Sequence, residues 1–116
     1  MKKRIITLLC VALLLLFLVG CGKETHSSKP QIVVSLYPLQ DFAQKIGGPY
    51  VQVTNIIPPG TEPHDFEPSP KDMIKLSQAD LFLYNGAGLE AWVDSAIPNL
   101  DQSQTLVVNT SAKLKL

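Results

Sequence analysis

The stretch QIVVSLYPLQDFAQKIGGPYVQVTNII, residues 31–57, changes its hydrophobic pattern twice. Residues 31–36 form a short run of largely apolar, β-branched side chains, and residues 38–48 have apolar side chains at helical spacing. Residues 50–57 are again mostly apolar or β-branched. The pattern predicts a strand, a helix and a second strand, with the helix ending at its Gly-Gly pair.

The rest of the chain continues this alternation. Ser69 is a suitable N-cap, Pro70 suits the first helical position, and Asp72 follows three residues after the cap. The further predicted elements are a helix over residues 69–79, a strand over 80–86, a helix over 88–100 with Leu89, Trp92, Val93 and Ala96 on one face, and a strand over 105–111. Because strands alternate with helices, the predicted fold class is α/β, a parallel β-sheet with flanking helices.

A proline-rich loop places one histidine at the expected binding edge of this sheet. His64 is one of two histidines and lies in IIPPGTEPHDFEPSP, residues 56–70, beside Glu62, Asp65 and Glu67. Proline fixes φ and removes a backbone donor, so this loop is expected to be stiff. Ligands of open α/β sheets bind outside the carboxyl ends of the strands, and the loop follows the second predicted strand.

The residues alone leave three roles open for His64. A neutral imidazole is a common ligand of zinc and other transition metals, and nearby carboxylates add oxygen ligands and negative potential. The alternatives are a turn histidine among solvated acids and a general base.

The N-terminal segment predicts export. Residues 1–4 are cationic, and residues 5–20 are apolar except for one threonine. This run is shorter than the ~20 residues that a membrane-spanning helix needs, so residues 1–20 are predicted to be a signal peptide, with an uncleaved anchor as the alternative. Residues 21–30 are polar and predict a flexible tether. The end of the run, LVGC, resembles the bacterial lipobox, and on that resemblance Cys21 is the lipid anchor.

Composition limits the possible partners and the stability of residues 31–116. Without residues 1–20 the chain has seven lysines, ten acids and no arginine, a net charge of −3. Nucleic-acid recognition relies on arginine and basic patches, so no nucleic-acid partner is expected.

No disulfide is expected either, since Cys10 lies in the signal peptide and Cys21 is the acylated cysteine. A domain of this size buries about 60% of its unfolded surface, so we expect the first part of a longer protein.

Four stretches resemble one bacterial family. They are VVSLYPLQDFAQKIGG (33–48), IIPPGTEPHDFEPSPKD (56–72), ADLFLYNGAGLEAWV (79–93) and LVVNTS (106–111). Together with the lipobox they make the chain similar to the N-terminal third of the zinc- or manganese-binding substrate-binding lipoproteins of bacterial metal ABC importers. The resemblance implies two α/β lobes joined by a long helix, with one metal ion in the cleft between them. Residues 31–116 would then form the N-terminal lobe, which is incomplete.

The resemblance assigns the first metal-binding histidine of the family to His64. The family's other ligands come from downstream segments that this chain does not contain. A tetrahedral zinc site needs four ligands, so His64 alone is not expected to bind an ion tightly. Glu67 is expected to hydrogen-bond within the loop or to orient a ligand. Glu62 and Asp65 are expected to be solvated.

Two aromatic residues are further candidates for the cleft. Trp92 is expected in the core because of its helical spacing with Leu89 and Val93, with a role in lining the cleft as the alternative. Tyr37 follows the first predicted strand and is a candidate for lining the cleft from the binding edge.

The function implied by the resemblance is metal capture without catalysis. The protein would be held at the extracytoplasmic face of the cell membrane by its lipid, would bind Zn²⁺ or Mn²⁺, and would deliver the ion to an ABC permease. The alternatives are an exported metal-dependent hydrolase that uses His64 and Asp65, and an adhesin-type surface lipoprotein. The sequence contains no compact catalytic zinc motif, which disfavours the hydrolase. Imidazole-rich sites favour zinc and carboxylate-rich sites suit manganese, and the ligands that would decide lie outside this chain.

Overall fold

The computed structural model describes residues 29–115, which form a parallel sheet with flanking helices. Its elements are β1 (Gln31–Val34), α1 (Tyr37–Gly47), β2 (Gln52–Asn55), α2 (Pro70–Ser77), β3 (Leu81–Tyr84), α3 (Val93–Ala96) and β4 (Leu106–Asn109). Short 3-10 helices follow α1 at Gly48–Tyr50 and α3 at Ile97–Asn99. The predicted α/β class is confirmed. The predictions for residues 1–20, and for Cys21 and the tether up to residue 28, fall outside the described residues.

The four strands pair in parallel in the order β2-β1-β3-β4. From β1 the chain first crosses to β2 on one side and then returns past β1 to β3 on the other side. The direction of winding therefore reverses between β1 and β3, and in open α/β sheets ligands bind outside the carboxyl ends of the strands at this switch point. Residues that follow β1 and β3 lie at that position.

The first helix ends as predicted but buries less than its apolar spacing suggests. Gly48 follows α1 with φ of 51°, a left-handed conformation that glycine adopts without a Cβ clash. Within α1 only Ala43 is buried, while Phe42 is exposed and Ile46 is 88% exposed. The spacing correctly predicted a helix, although most of its large apolar side chains are exposed within residues 29–115.

The second helix begins with the predicted capping box. Ser69 Oγ accepts a hydrogen bond from the Asp72 backbone N–H at 3.3 Å, and Asp72 Oδ2 accepts from the Ser69 N–H at 3.1 Å. Pro70 occupies the first helical position. The Ser69 hydroxyl also donates to Asp72, and this hydrogen bond is the main cause that lowers the pKa of the Asp72 carboxyl. The cap fixes where the histidine loop ends and α2 starts.

The third helix is shorter than predicted. A helix was expected over residues 88–100, but α3 has only four residues and continues as a 3-10 turn to Asn99. Gly86, Ala87 and Gly88 have φ values of 77°, 57° and 78°, so the chain leaves β3 in a left-handed conformation that a right-handed helix cannot contain. Three of the four side chains predicted to share a face, Trp92, Val93 and Ala96, are nevertheless buried together.

The core lies between the sheet and the α2–α3 side. Phe82 of β3 and Leu76 of α2 are fully buried, and each such side chain stabilises the fold by about 1.5–3 kcal/mol. The buried cluster consists of Val33, Ile56, Ile57, Phe66, Leu76, Ala79, Phe82, Trp92, Val93, Ala96 and Leu100. Among residues 29–115 no helix has the length and hydrophobicity to span a bilayer.

Candidate metal site

The loop that contains His64 is anchored at both ends and stiffened between them. It connects β2 to α2, and Ile56, Ile57 and Phe66 fix it in the core. Two backbone turns close within it, from the Thr61 N–H to Pro58 O and from the Asp65 N–H to Glu62 O, both at 3.2 Å. The loop thus holds its histidine at the carboxyl edge of the sheet, as predicted from its position after the second strand of a parallel sheet.

The His64 side chain is accessible and has one carboxylate near it. It is 58% exposed, and its Nε2 lies 3.9 Å from Glu62 Oε2, whose own side chain is more exposed still. Asp65 is exposed as well. Within residues 29–115, no three His, Cys, Asp or Glu side chains lie close enough together to hold a metal ion. An imidazole in this position can reach a cation, but a four-coordinate site needs further ligands.

An open cavity of about 910 Å³ extends from His64 between α2 and α3. Its walls are formed by the loop and by the facing sides of the two helices. His64, Glu67 and Trp92 share this cavity, so the structure brings three of the four residues predicted for a metal site or cleft to one place.

Glu67 lines the cavity through an exposed side chain. In the described part of the chain its carboxylate accepts no hydrogen bond, so the expected hydrogen bond within the loop is not observed there. The role in orienting a ligand stays a prediction. Tyr37 lies elsewhere. It is 70% exposed at the start of α1 and lines a second cavity of about 730 Å³, together with the segment 56–60. The structure therefore does not bring Tyr37 to His64.

Trp92 belongs to the core and to the cavity wall at the same time. It is 6% exposed, its ring meets that of Phe66 edge-on with centroids 5.4 Å apart, and Phe82 lies 5.9 Å away on another side. Edge-to-face aromatic pairs of this kind add about 0.5–1.5 kcal/mol to the burial of their area. The indole Nε1 is buried without an acceptor among residues 29–115.

A buried carboxylate at the switch point was missed by the sequence reasoning. Glu90 is 5% exposed. Its Oε1 accepts from the Ser35 hydroxyl and from the Asn85 N–H at 2.8 Å, and its Oε2 accepts from the Gly86 N–H at 2.9 Å. The signal available in the sequence was a single acid within the otherwise uncharged NGAGLEAWV, directly after a strand whose loop leaves backbone N–H groups free.

Comparison with known proteins gives consistent results. Residues 32–116 match the family described as zinc-uptake complex component A, periplasmic. The chain is 35% identical to the zinc-binding lipoprotein AdcA of Streptococcus pneumoniae, over 100% of this chain and 23% of that protein. It is 37% identical to the manganese ABC transporter substrate-binding lipoprotein PsaA of the same species, over 86% of this chain and 35% of that protein.

The solved structures agree with the sequence comparison. The Zn(II)-bound ZnuA-like domain of Streptococcus pneumoniae AdcA superposes with a TM-score of 0.70 at 32% identity, over 77% of this chain and 33% of that one. The chain thus spans about a quarter to a third of the length of the relatives that it matches.

Proposed function

The chain belongs to the zinc-uptake complex component A family, and we propose on this basis that the complete protein is the substrate-binding component of a metal ABC importer. It binds Zn²⁺ or Mn²⁺ outside the membrane and delivers the ion to the permease. The observation that most supports the proposal is the position of His64, an exposed imidazole on a proline-rich loop at the carboxyl edge of the sheet.

In this proposal His64 is one metal ligand, held ready by the loop. The prolines and the buried anchors Ile57 and Phe66 restrict the loop before the ion arrives, which reduces the entropy lost on binding. The remaining ligands come from parts of the complete protein outside residues 29–115. Residues 31–116 contribute one of its α/β lobes.

Calorimetric titration of the complete protein with Zn²⁺ and with Mn²⁺ tests this role. His64→Ala should raise the dissociation constant by more than about 100-fold, because it removes a direct ligand. Loss of a residue that only hydrogen-bonds to a metal ligand costs up to about 100-fold. His26→Ala is the matched control, since this histidine lies in the proposed tether, and it should bind like the wild type. An unchanged dissociation constant in His64→Ala would refute the proposal for this residue.

We also propose that Cys21 attaches the protein to the membrane through a lipid, after removal of residues 1–20. Cys21→Ser should lose incorporation of labelled palmitate and keep the signal peptide, whereas Cys10→Ser should be processed normally because that cysteine is discarded. Mass spectrometry of both products shows whether the signal peptide and the lipid are present. Acylation and cleavage that persist in Cys21→Ser would overturn the assignment.

In this proposal the protein binds the ion and performs no chemistry on it. AdcA is named for zinc binding, and PsaA is named as the substrate-binding lipoprotein of a transporter. Metal-dependent hydrolysis by the purified complete protein that is lost in Asp65→Asn would instead favour the hydrolase.

A further inference from the structure

We propose that Glu90 is a positioning residue for the metal site. Its carboxylate locks the switch point of the sheet and thereby holds Trp92 against the loop that contains His64. This inference rests on the proposed function, because it concerns the binding of the same ion.

The Glu90 carboxylate joins the two strands at which the winding reverses. Ser35 is the first residue after β1, and Asn85 and Gly86 are the first two residues after β3. All three donate hydrogen bonds to Glu90. One side chain therefore connects the carboxyl ends of two neighbouring strands to the segment that leads into α3.

No cation in residues 29–115 forms a salt bridge with this buried carboxylate. Burying a charge is costly unless hydrogen bonds replace its hydration. Here the compensation comes from one hydroxyl and two backbone N–H groups, which are fixed in place by the sheet and the loop. An arrangement of this kind is rigid, because movement of either strand end leaves a buried charge partly unsatisfied.

The loop held by Glu90 has an unusual backbone. Gly86, Ala87 and Gly88 are all left-handed, and Ala87 is the one non-glycine residue with positive φ among residues 29–115. Strained conformations persist where surrounding contacts over-determine them, and they cluster at ligand sites. The two N–H groups given to Glu90 lie at the start of this segment, so the carboxylate fixes the loop where it leaves β3.

The constraint reaches the histidine loop in two steps. The Glu90 backbone O accepts the Val93 N–H at 3.2 Å, which fixes the turn that contains Trp92. Trp92 in turn packs edge-on against Phe66, which is two residues from His64. A change at Glu90 is therefore expected to move one wall of the His64 cavity.

Glu90→Gln is the sharpest perturbation, because it keeps the size and removes one acceptor. With the amide oxygen toward Asn85, the NH₂ group faces the Gly86 N–H, and after rotation it faces the Asn85 N–H instead. Either orientation places a donor against a backbone donor. Ser35→Ala is the milder second variant, since it removes a single hydrogen bond and leaves both backbone donors paired.

Two measurements on the complete protein test the role. Fluorine NMR of fluorotryptophan-labelled protein reports the surroundings of Trp92, whose resonance is identified by its absence in Trp92→Phe. Calorimetry measures the affinity for Zn²⁺ and Mn²⁺. Glu90→Gln should shift the Trp92 resonance and weaken binding of both ions by about tenfold, the lower end of the range for groups that orient metal ligands. Ser35→Ala should change both in the same direction but less.

Thr105→Val controls for a general loss of stability. Thr105 is fully buried at the other edge of the sheet, just before β4, and its hydroxyl donates to Ala79 O at 2.8 Å. This variant should lower the denaturation midpoint while the Trp92 resonance and the metal affinities stay as in the wild type.

The outcomes separate this inference from the proposed function. If the wild type binds an ion and His64→Ala does not, but Glu90→Gln and Ser35→Ala bind like the wild type, the positioning role is wrong and the function stands. Should Thr105→Val weaken binding as much as Glu90→Gln, the effect is one of stability and the inference is also wrong. A wild-type protein that binds neither ion overturns both.

Discussion

Gly86→Ala should destabilise the fold by about 3 kcal/mol, through the backbone and through the end of β4. Gly86 has φ of 77°, where a Cβ costs roughly 1 kcal/mol, the lower end of the range for left-handed residues. That Cβ would also stand 2.2 Å from Asn109 Oδ1. The Asn109 side chain must then rotate away and lose the two hydrogen bonds, both 3.0 Å long, that Oδ1 accepts from the N–H and hydroxyl of Ser111. At about 1 kcal/mol for each hydrogen bond, the two effects give the total.

Gly88→Ala separates these two contributions. Gly88 has nearly the same φ, 78°, but no atom lies within 4 Å of its added Cβ. This variant should therefore lose only the backbone part, about 1 kcal/mol. Urea denaturation of the complete protein measures both free energies of unfolding. A Gly86→Ala variant that is no less stable than Gly88→Ala would show that the close approach of β4 to this loop is wrong.

The remaining predictions concern Trp92 and the cap of α2. Trp92→Phe removes a buried N–H that has no acceptor among residues 29–115, so its cost comes from the smaller ring, which packs less well against Phe66 and Phe82 and leaves a cavity. Thermal unfolding should show a loss of about 1–2 kcal/mol, and unchanged stability would contradict the packing of this ring in the core. Ser69→Ala should cost about 1 kcal/mol in urea denaturation because α2 loses its capping box, and no loss would refute the cap. The Ser69 hydrogen bond holds the pKa of Asp72 below its ordinary 3.8, so this stabilisation is complete above pH 3.8 and is lost as the pH falls through the folded-state pKa. The stability difference between wild type and Ser69→Ala should accordingly shrink in acid, and a difference that grows there would contradict the assignment.

Sequence reasoning succeeded for features that depend on local chemistry. The cap at Ser69 and the end of α1 at its Gly-Gly pair are set by a few adjacent residues, and both are observed. The order of strands and helices follows from hydrophobic period, which is also a local property. The position of His64 at the carboxyl edge then follows from parallel topology alone.

It was less successful where distant contacts decide. The spacing of Trp92, Val93 and Ala96 was read as a long helix, but the chain buries these side chains after a left-handed loop. Similarly, the apolar face of α1 predicted its helix without showing what covers Ile46, which is almost fully exposed in residues 29–115. A hydrophobic period shows whether a segment is a helix or a strand more reliably than it shows what the segment packs against.

Glu90 is the clearest case of a residue whose role depends on a contact with a residue far away in the sequence. Its partner Ser35 lies 55 residues away in sequence and meets it only because β1 and β3 are adjacent in the sheet. In the predicted helix, Glu90 would lie beside the apolar face, and its side chain would be interpreted as a solvated acid. The strand order, with its reversal at β1 and β3, was needed to see that a carboxylate there would meet two strand ends.

The arrangement of these residues also limits what this part of the protein can select. Residues 29–115 offer His64 on a stiff loop and a cavity wall supported by Glu90, but no cluster of three ligating side chains. Selectivity is a difference between two affinities, and imidazole-rich and carboxylate-rich sites differ in the ions that they favour. If a single imidazole from this region enters the site, the choice between Zn²⁺ and Mn²⁺ depends mainly on the ligands supplied from elsewhere. Substitutions at Glu90 alter how firmly that imidazole is held, so they act on both ions together and leave the ratio of the two affinities nearly unchanged.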